Sequence, residues 1–324
     1  MPSYKYINIL FALLFCFGCS TQKDAAINRL YHQLNTKFNG LFYAKEYLKR
    51  GVNKLNDSHQ DNYSEIITVF LHADLKSAQS AQPLFDHAIQ KATLAIKQHS
   101  MEIRGEEKNK LIDDAYLIIG KAKFFKQDYV SAISTFNYLM RKANSREMAA
   151  EALLWTAKCQ QQLNNQQTLS QHIFDLDENY ILTKEQSSIL FAIKTENEIK
   201  LKNYSVAREN AIAFISLTNN KPQKVRANYI LGQLCLLLNE NNNARDYFGR
   251  VIKSNPNYEL VFNAKLNRAK TFLPNEDNFY QLRRELEKML ADKKNKEYKD
   301  QIHFAIANME LKNNDTISAI QSLK

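Results

Sequence analysis

Glycine and proline are scarce in this chain, seven and five among 324 residues, well below average usage. Leu, Ala, Lys, Asn and Gln are abundant instead, which is a helical composition. Cysteine is sparse too. Of four, two lie at the N-terminus and only Cys159 and Cys235 in the body of the chain, so no disulfide framework is implied. Both sit in apolar helical stretches, "LLWTAKCQQQL" and "YILGQLCLLL". A thiol there is either buried and inert or reactive, and apolar surroundings favour the first.

Catalytic spacings are missing as well. No H-E-x-x-H, G-x-S-x-G, G-x-x-x-x-G-K-[ST] or paired C-x-x-C occurs, so the common metal, nucleophile and phosphate sites have no counterpart. "DLDENY" places Asp175, Asp177 and Asn179 at calcium-loop spacing, but Tyr180 replaces the required Gly and Gln186 the bidentate Glu. The expectation is a chain with no catalytic residues, no metal and no cofactor.

A long hydrophobic run is the last absence. Residues 7–17 are apolar apart from Asn8, too short to span a bilayer, which takes about 20 helical residues, but suited to the core of a secretory signal. Lys5 precedes them, and Gly18, Cys19 and Ser20 follow in the pattern that lipoprotein signal peptidase reads, although Cys16 stands where an aliphatic residue is usual. This reading makes residues 1–18 a signal peptide and Cys19 a lipidated N-terminus that attaches the chain to a membrane; plain cleavage and an uncleaved anchor remain the alternatives. The net charge is +10, but the basic residues are interspersed with 34 acidic ones. That is a solvated basic surface, and an exported protein would not meet nucleic acid.

What the sequence does contain is an internal repeat. In "YLIIGKAKFFKQDYVSAISTFNYLMRKAN" and "YILGQLCLLLNENNNARDYFGRVIKSNP", Gly is followed twelve residues later by Ala and four after that by Phe: Gly120, Ala132, Phe136 and Gly232, Ala244, Phe248, with Pro256 closing the second copy. This is the tetratricopeptide signature. Gly and Ala let helix A and helix B of a hairpin touch, and Phe fills the space beside them. The two glycines stand 112 residues apart, three periods of a little over 37. Filling in that period gives Gly120, Ala157, Thr195, Gly232, Ala269 and Ala307 on the A helices. The B helices carry Ala132, Leu169, Ala207, Ala244, Gln281 and Ala319. Leu169 and Gln281 break the small-residue rule, so the second and fifth hairpins are expected to have irregular B helices. A period above the usual 34 predicts longer turns, as at "NNQQ", "TNNKPQ" and "PNEDN".

The expected fold is therefore all-α, a tetratricopeptide-type α-solenoid with one irregular extended segment near 61–75. Residues 19–110 would hold an N-terminal hairpin with Ala44 and Leu48 at the B-helix places. The extended segment follows, centred on the β-branched and aromatic Ile66 to Phe70, and then a helix opening near Pro83. "MEIRGEEKNK" is a charged connection into an array of about six hairpins over 111–324, the last incomplete. That ending predicts either a longer protein or a partner covering Phe304, Ile306 and Ile320, because a solenoid otherwise exposes its last apolar face.

The lipobox followed by "STQKDAAINRLYHQLNTKFNGLFYAKEYLKRGVNKLNDSHQDNYSEI" resembles the start of the type IX secretion lipoproteins of Bacteroidota, the PorW/SprE family. The matching residues are Asn35, Lys37, Phe38, Asn39, Gly51, Asp61, Asn62, Tyr63 and Glu65. The likeness is sharp over about residues 19–70 and weaker beyond; "ITVFLHAD" stands where the family usually continues with a Pro-containing stretch. The resemblance implies a lipid-anchored outer-membrane protein facing the periplasm. It would link the secretion machine's periplasmic ring and motor to its translocon, and support secretion and, in gliding species, motility. The alternative is a generic tetratricopeptide lipoprotein serving outer-membrane protein insertion or nutrient uptake.

By resemblance to stacked tetratricopeptide hairpins, the residue after each small A-helix position faces the concave groove: Lys121, Lys158, Glu196, Gln233, Lys270 and Asn308, with Leu117, Leu154, Tyr229 and Phe304 one turn earlier. The lysines could clamp an acidic, extended partner segment, or merely keep an unused groove soluble. The rival contact site is the N-terminal region, through Asn35, Lys37, Asn62 and Tyr63.

Overall fold

The computed structural model describes residues 20–71, 74–274 and 279–324, so the signal peptide and Cys19 lie outside the described residues. The fold is all-α apart from a two-residue β-ribbon, and it divides into two compact units. The first holds the described residues up to His59 together with Leu71–Leu182; the second holds Gln60–Phe70 and Thr183–Lys324.

The first unit begins with α1 (Ala26–Asn35), a π-turn over Thr36–Leu41, α2 (Phe42–Ser58) and α3 (Leu75–His99). Helices α2 and α3 form the first hairpin, correcting the expected pairing of the segments before and after residue 40. Helix α3 is capped by Asp74, which accepts from the Ser77 amide, and Pro83 lies inside it instead of opening it. Gly51 faces Phe85 across this hairpin: a Cβ on the glycine would sit 2.5 Å from Phe85 Cε1. The ribbon pairs Glu102–Ile103 with Glu106–Glu107 around Arg104 and Gly105, both at positive φ, so the expected charged connection is a tight hairpin. Then come α4 (Leu111–Phe125), α5 (Tyr129–Lys142), α6 (Arg146–Gln162) and α7 (Gln166–Asn179).

The second unit comprises α8 (Lys184–Lys200), α9 (Tyr204–Leu217), α10 (Lys221–Leu237), α11 (Asn241–Ser254), α12 (Tyr258–Lys270), α13 (Phe279–Ala291), α14 (Lys299–Lys312) and α15 (Thr316–Ser322). A 3-10 turn over Lys293–Tyr298 precedes α14. Most A-to-B turns repeat one device: a left-handed residue (Gln127, Asn164, Lys202, Asn239 or Asn314) followed by a polar residue at the N-cap of the next helix. "NNQQ" is one of these short turns, so the expected lengthening is not found there.

The small positions of the repeat are buried as hairpin contacts. Gly120 and Gly232 abut Phe136 and Phe248, where an added Cβ would lie 2.3 and 2.6 Å from the ring. Both phenylalanines, with Ala132, Ala157, Ala207, Ala244, Ala307 and Ala319, are buried. Two expectations about irregular hairpins part ways. Helix α7 is regular, with Leu169 buried in the small-residue place, so the larger side chain is accommodated. In α13 Gln281 is exposed and its neighbour Leu282 takes the buried place, a register shift of one residue. Among the described residues, no helix is long and apolar enough to cross a membrane.

Candidate functional site

The second unit holds an extended strap, Gln60–Phe70, on the A helices of its own hairpins. The side chains of Ile67 and Val69 enter the core with Tyr229, Phe248 and Leu260. The strap's backbone is read by side chains. Gln233 accepts from the Ile67 amide (3.1 Å) and donates to the Glu65 carbonyl (2.7 Å), and Glu196 accepts from the Phe70 amide (3.3 Å). Arg226 grips Asp61 with both terminal nitrogens, at 2.7 and 2.5 Å, and donates through Nε to the Thr68 carbonyl at 2.6 Å. Glu196 and Gln233 occupy equivalent places on successive A helices, so one position of the repeat carries the strap.

Tyr229 is fully buried, with Tyr63 edge-on to its ring at a centroid distance of 5.7 Å. Its hydroxyl accepts from Asn267 Nδ2 at 2.7 Å. Burial pushes the phenol pKa of both tyrosines upward, and for Tyr63 the charge of Asp61 adds to it. Tyr229 thus lies beneath the chain's own strap and does not face a partner. Asn62 is occupied in a local turn, accepting from the Ser64 amide at 3.1 Å and hydroxyl at 2.6 Å.

The lysines expected to line the groove fall into two situations. In the first unit, Lys121 pairs with Glu151 at 3.0 Å and lies 4.9 Å from the Trp155 ring centroid. Lys158 is only 8 % exposed and sits over Trp155 and Phe124 at 4.2 and 5.2 Å. These are packed cations, engaged with the chain's own Glu151, Trp155 and Phe124. Lys270, in the second unit, makes no ion pair or ring contact among the described residues. Burial of its surroundings holds its pKa below the ordinary lysine range, although part of the side chain stays exposed.

Asn35 and Lys37 lie in the first unit, where Asn35 donates to the Tyr31 carbonyl at 2.9 Å and Lys37 lies 5.3 Å from the exposed Phe38 ring. They are therefore not part of the strap site that holds Asn62 and Tyr63. Cys159 and Cys235 are buried, and burial pushes their thiols up to about 12 and about 11. No group of three or more metal-ligating side chains occurs among the described residues. The sequence reading missed Arg226 as a strap residue; the only sign of it was a basic residue one turn ahead of Tyr229.

No family model matches the chain, and no curated protein does. Among solved structures, it is similar to the TPR2AB-domain:pHSP90 complex of yeast Sti1, at 12% identity and a TM-score of 0.26, over 76% of this chain and 92% of that one. The tetratricopeptide character rests on the chain's own hairpins and their Gly–Phe contacts.

Proposed function

We propose that this chain is a non-enzymatic, tetratricopeptide-type scaffold that binds other proteins through extended segments. The observation that carries this reading is the strap, whose backbone amides and carbonyls are held by side chains at one repeated A-helix position. A surface that holds one extended segment through its main chain can hold others by the same means.

The finer reading comes from the N-terminal resemblance. In it the chain is an outer-membrane lipoprotein facing the periplasm, anchored through Cys19. It links the ring and motor of a type IX secretion system to the translocon and supports secretion and gliding. Asp61, Asn62, Tyr63 and Glu65, which carry the resemblance, all lie in the strap or its turn, which gives that motif a structural role. The test is deletion of the gene with an assay of proteins secreted into the medium, together with co-purification from membranes. Loss of secretion with ring or translocon subunits co-purifying is expected. Normal secretion, or co-purification of barrel-insertion proteins, would overturn the finer reading. Cys19→Ser should release the protein from the membrane fraction.

A further inference from the structure

Helix α1 is the first element of the first unit, and the face it turns away from the unit's core is apolar. Its backbone runs through the π-turn into α2 without leaving helical dihedrals. The buried line along it is Asn28, His32, Thr36 and Leu41. Beside that line Ile27, Tyr31, Leu34 and Phe38 recur at helical spacing, with Leu30 and Phe42 adjoining. All six are exposed, Ile27 by 74% and Phe38 by 62%. A terminal helix of a solenoid normally turns a polar side outward. A contiguous apolar stripe in its place marks a contact surface.

We propose that this stripe lies in the surface of a phospholipid bilayer and seats the first unit on the membrane beside its anchor. The proposal rests on the reading of Cys19 as a membrane attachment and adds a second, non-covalent contact to it. Position, charge and composition select lipid over a protein partner. Only residues 20–25 separate Cys19 from α1, so an anchored chain holds the helix within about 25 Å of the bilayer. Over residues 20–50 six basic residues stand against Asp24 and Glu46, and Asp24 is already paired with Arg29. That excess suits anionic headgroups. The stripe itself mixes aliphatic side chains with Tyr31, Phe38 and Phe42, as amphipathic helices at a bilayer surface do. Lys37, 5.3 Å from the Phe38 ring, can lay its stem along apolar surface while its ammonium stays among headgroups. An acyl anchor alone leaves a protein free to swivel on its tether. The seat fixes which side of the first unit faces the membrane.

The experiment reconstitutes the full chain in vesicles of phosphatidylethanolamine and phosphatidylglycerol. An environment-sensitive dye is placed on Phe38→Cys or, as a control, on Ile181→Cys, which is fully exposed in the same unit. The native thiols Cys159 and Cys235 are buried and stay unlabelled. Lipids brominated in the acyl chain should quench the Phe38 dye by at least about half, because such a helix sinks about 5–10 Å into the interface. The Ile181 dye should not respond. A Cys19→Ser chain, exported behind a leader that ordinary signal peptidase removes, should still bind these vesicles weakly. Phe38→Glu in that background should weaken binding at least about tenfold, the loss of one buried aromatic side chain, at an unchanged melting temperature. A Phe38 dye untouched by brominated lipid, on a chain that floats with the vesicles, would overturn the seat and leave the anchor intact. Equal flotation of the wild type and Cys19→Ser, lost in Phe38→Glu, would support the seat and remove the anchor. A dimer that Phe38→Glu dissolves, with the dye unquenched, would put a second copy on the stripe and overturn the proposal.

Discussion

Asp61 and Arg226, 165 residues apart in sequence, meet in a two-pronged ion pair whose side chains are each only 11% exposed. The pair fixes one end of the strap while Gln233 and Glu196 fix its middle and far end. Removing the carboxylate leaves the guanidinium mostly buried without its partner. Asp61→Asn should therefore cost about 2–3 kcal/mol. A double-mutant cycle with Arg226→Met, read by urea unfolding, should return a coupling energy of more than about 1 kcal/mol. Additive effects would mean the pair contributes nothing.

Three glycines face phenylalanine rings at distances no Cβ could tolerate: Gly51 on Phe85, Gly120 on Phe136 and Gly232 on Phe248. Each Gly→Ala should destabilise by about 1–3 kcal/mol through overpacking. Gly249, in α11, has nothing within 4 Å of the added methyl. There Gly→Ala should stabilise by about 0.5–1 kcal/mol, because alanine is the better helix former. Calorimetric melting of the four variants tests both signs, and a stabilised Gly120→Ala would refute the assigned contact.

Those contacts also indicate how much of the fold could be read in advance. The Gly, Ala and Phe spacing identified the hairpins at Gly120 and Gly232 because there the A-to-B turn is short. The same triplet occurs as Gly51, Ala81 and Phe85, but thirty residues instead of twelve separate Gly51 from Ala81. The strap is inserted in that turn, so the periodicity was hidden. The extended character of the strap was legible in its β-branched centre. Its docking place was not, since pairs 126 to 168 residues apart leave no mark in a local pattern.

Lys158 lies over two aromatic rings with little exposure. Lys158→Glu replaces a cation–π contact with a buried carboxylate facing ring electrons, and should cost about 2–4 kcal/mol. Lys158→Met, which keeps the apolar stem, should cost no more than about 1–2 kcal/mol. Equal melting temperatures for wild type and the glutamate variant would show that the lysine is a free groove residue after all.

His32 and His99 place their Nδ1 atoms 3.0 Å apart, so one must donate and the other accept. Burial, and then the charge of His32, holds the pKa of His99 below its ordinary value. The unfolded chain takes up a proton near pH 6.5 that the folded imidazole refuses, so stability should fall as pH drops below about 6.5. Urea midpoints at about pH 7.5 and 5.5 should differ more for the wild type than for His99→Phe. A parallel pH response in both would contradict this.

Amide hydrogen exchange within the strap tests the account most directly, because the protein-binding reading rests on a groove that holds an extended backbone. The Ile67 and Phe70 amides, which donate to Gln233 and Glu196, should exchange at least about a hundredfold more slowly than in an unstructured chain. Gln233→Ala should release most of that protection at Ile67 without unfolding α10. Exchange of both amides at the free-chain rate in the wild-type protein would contradict the account.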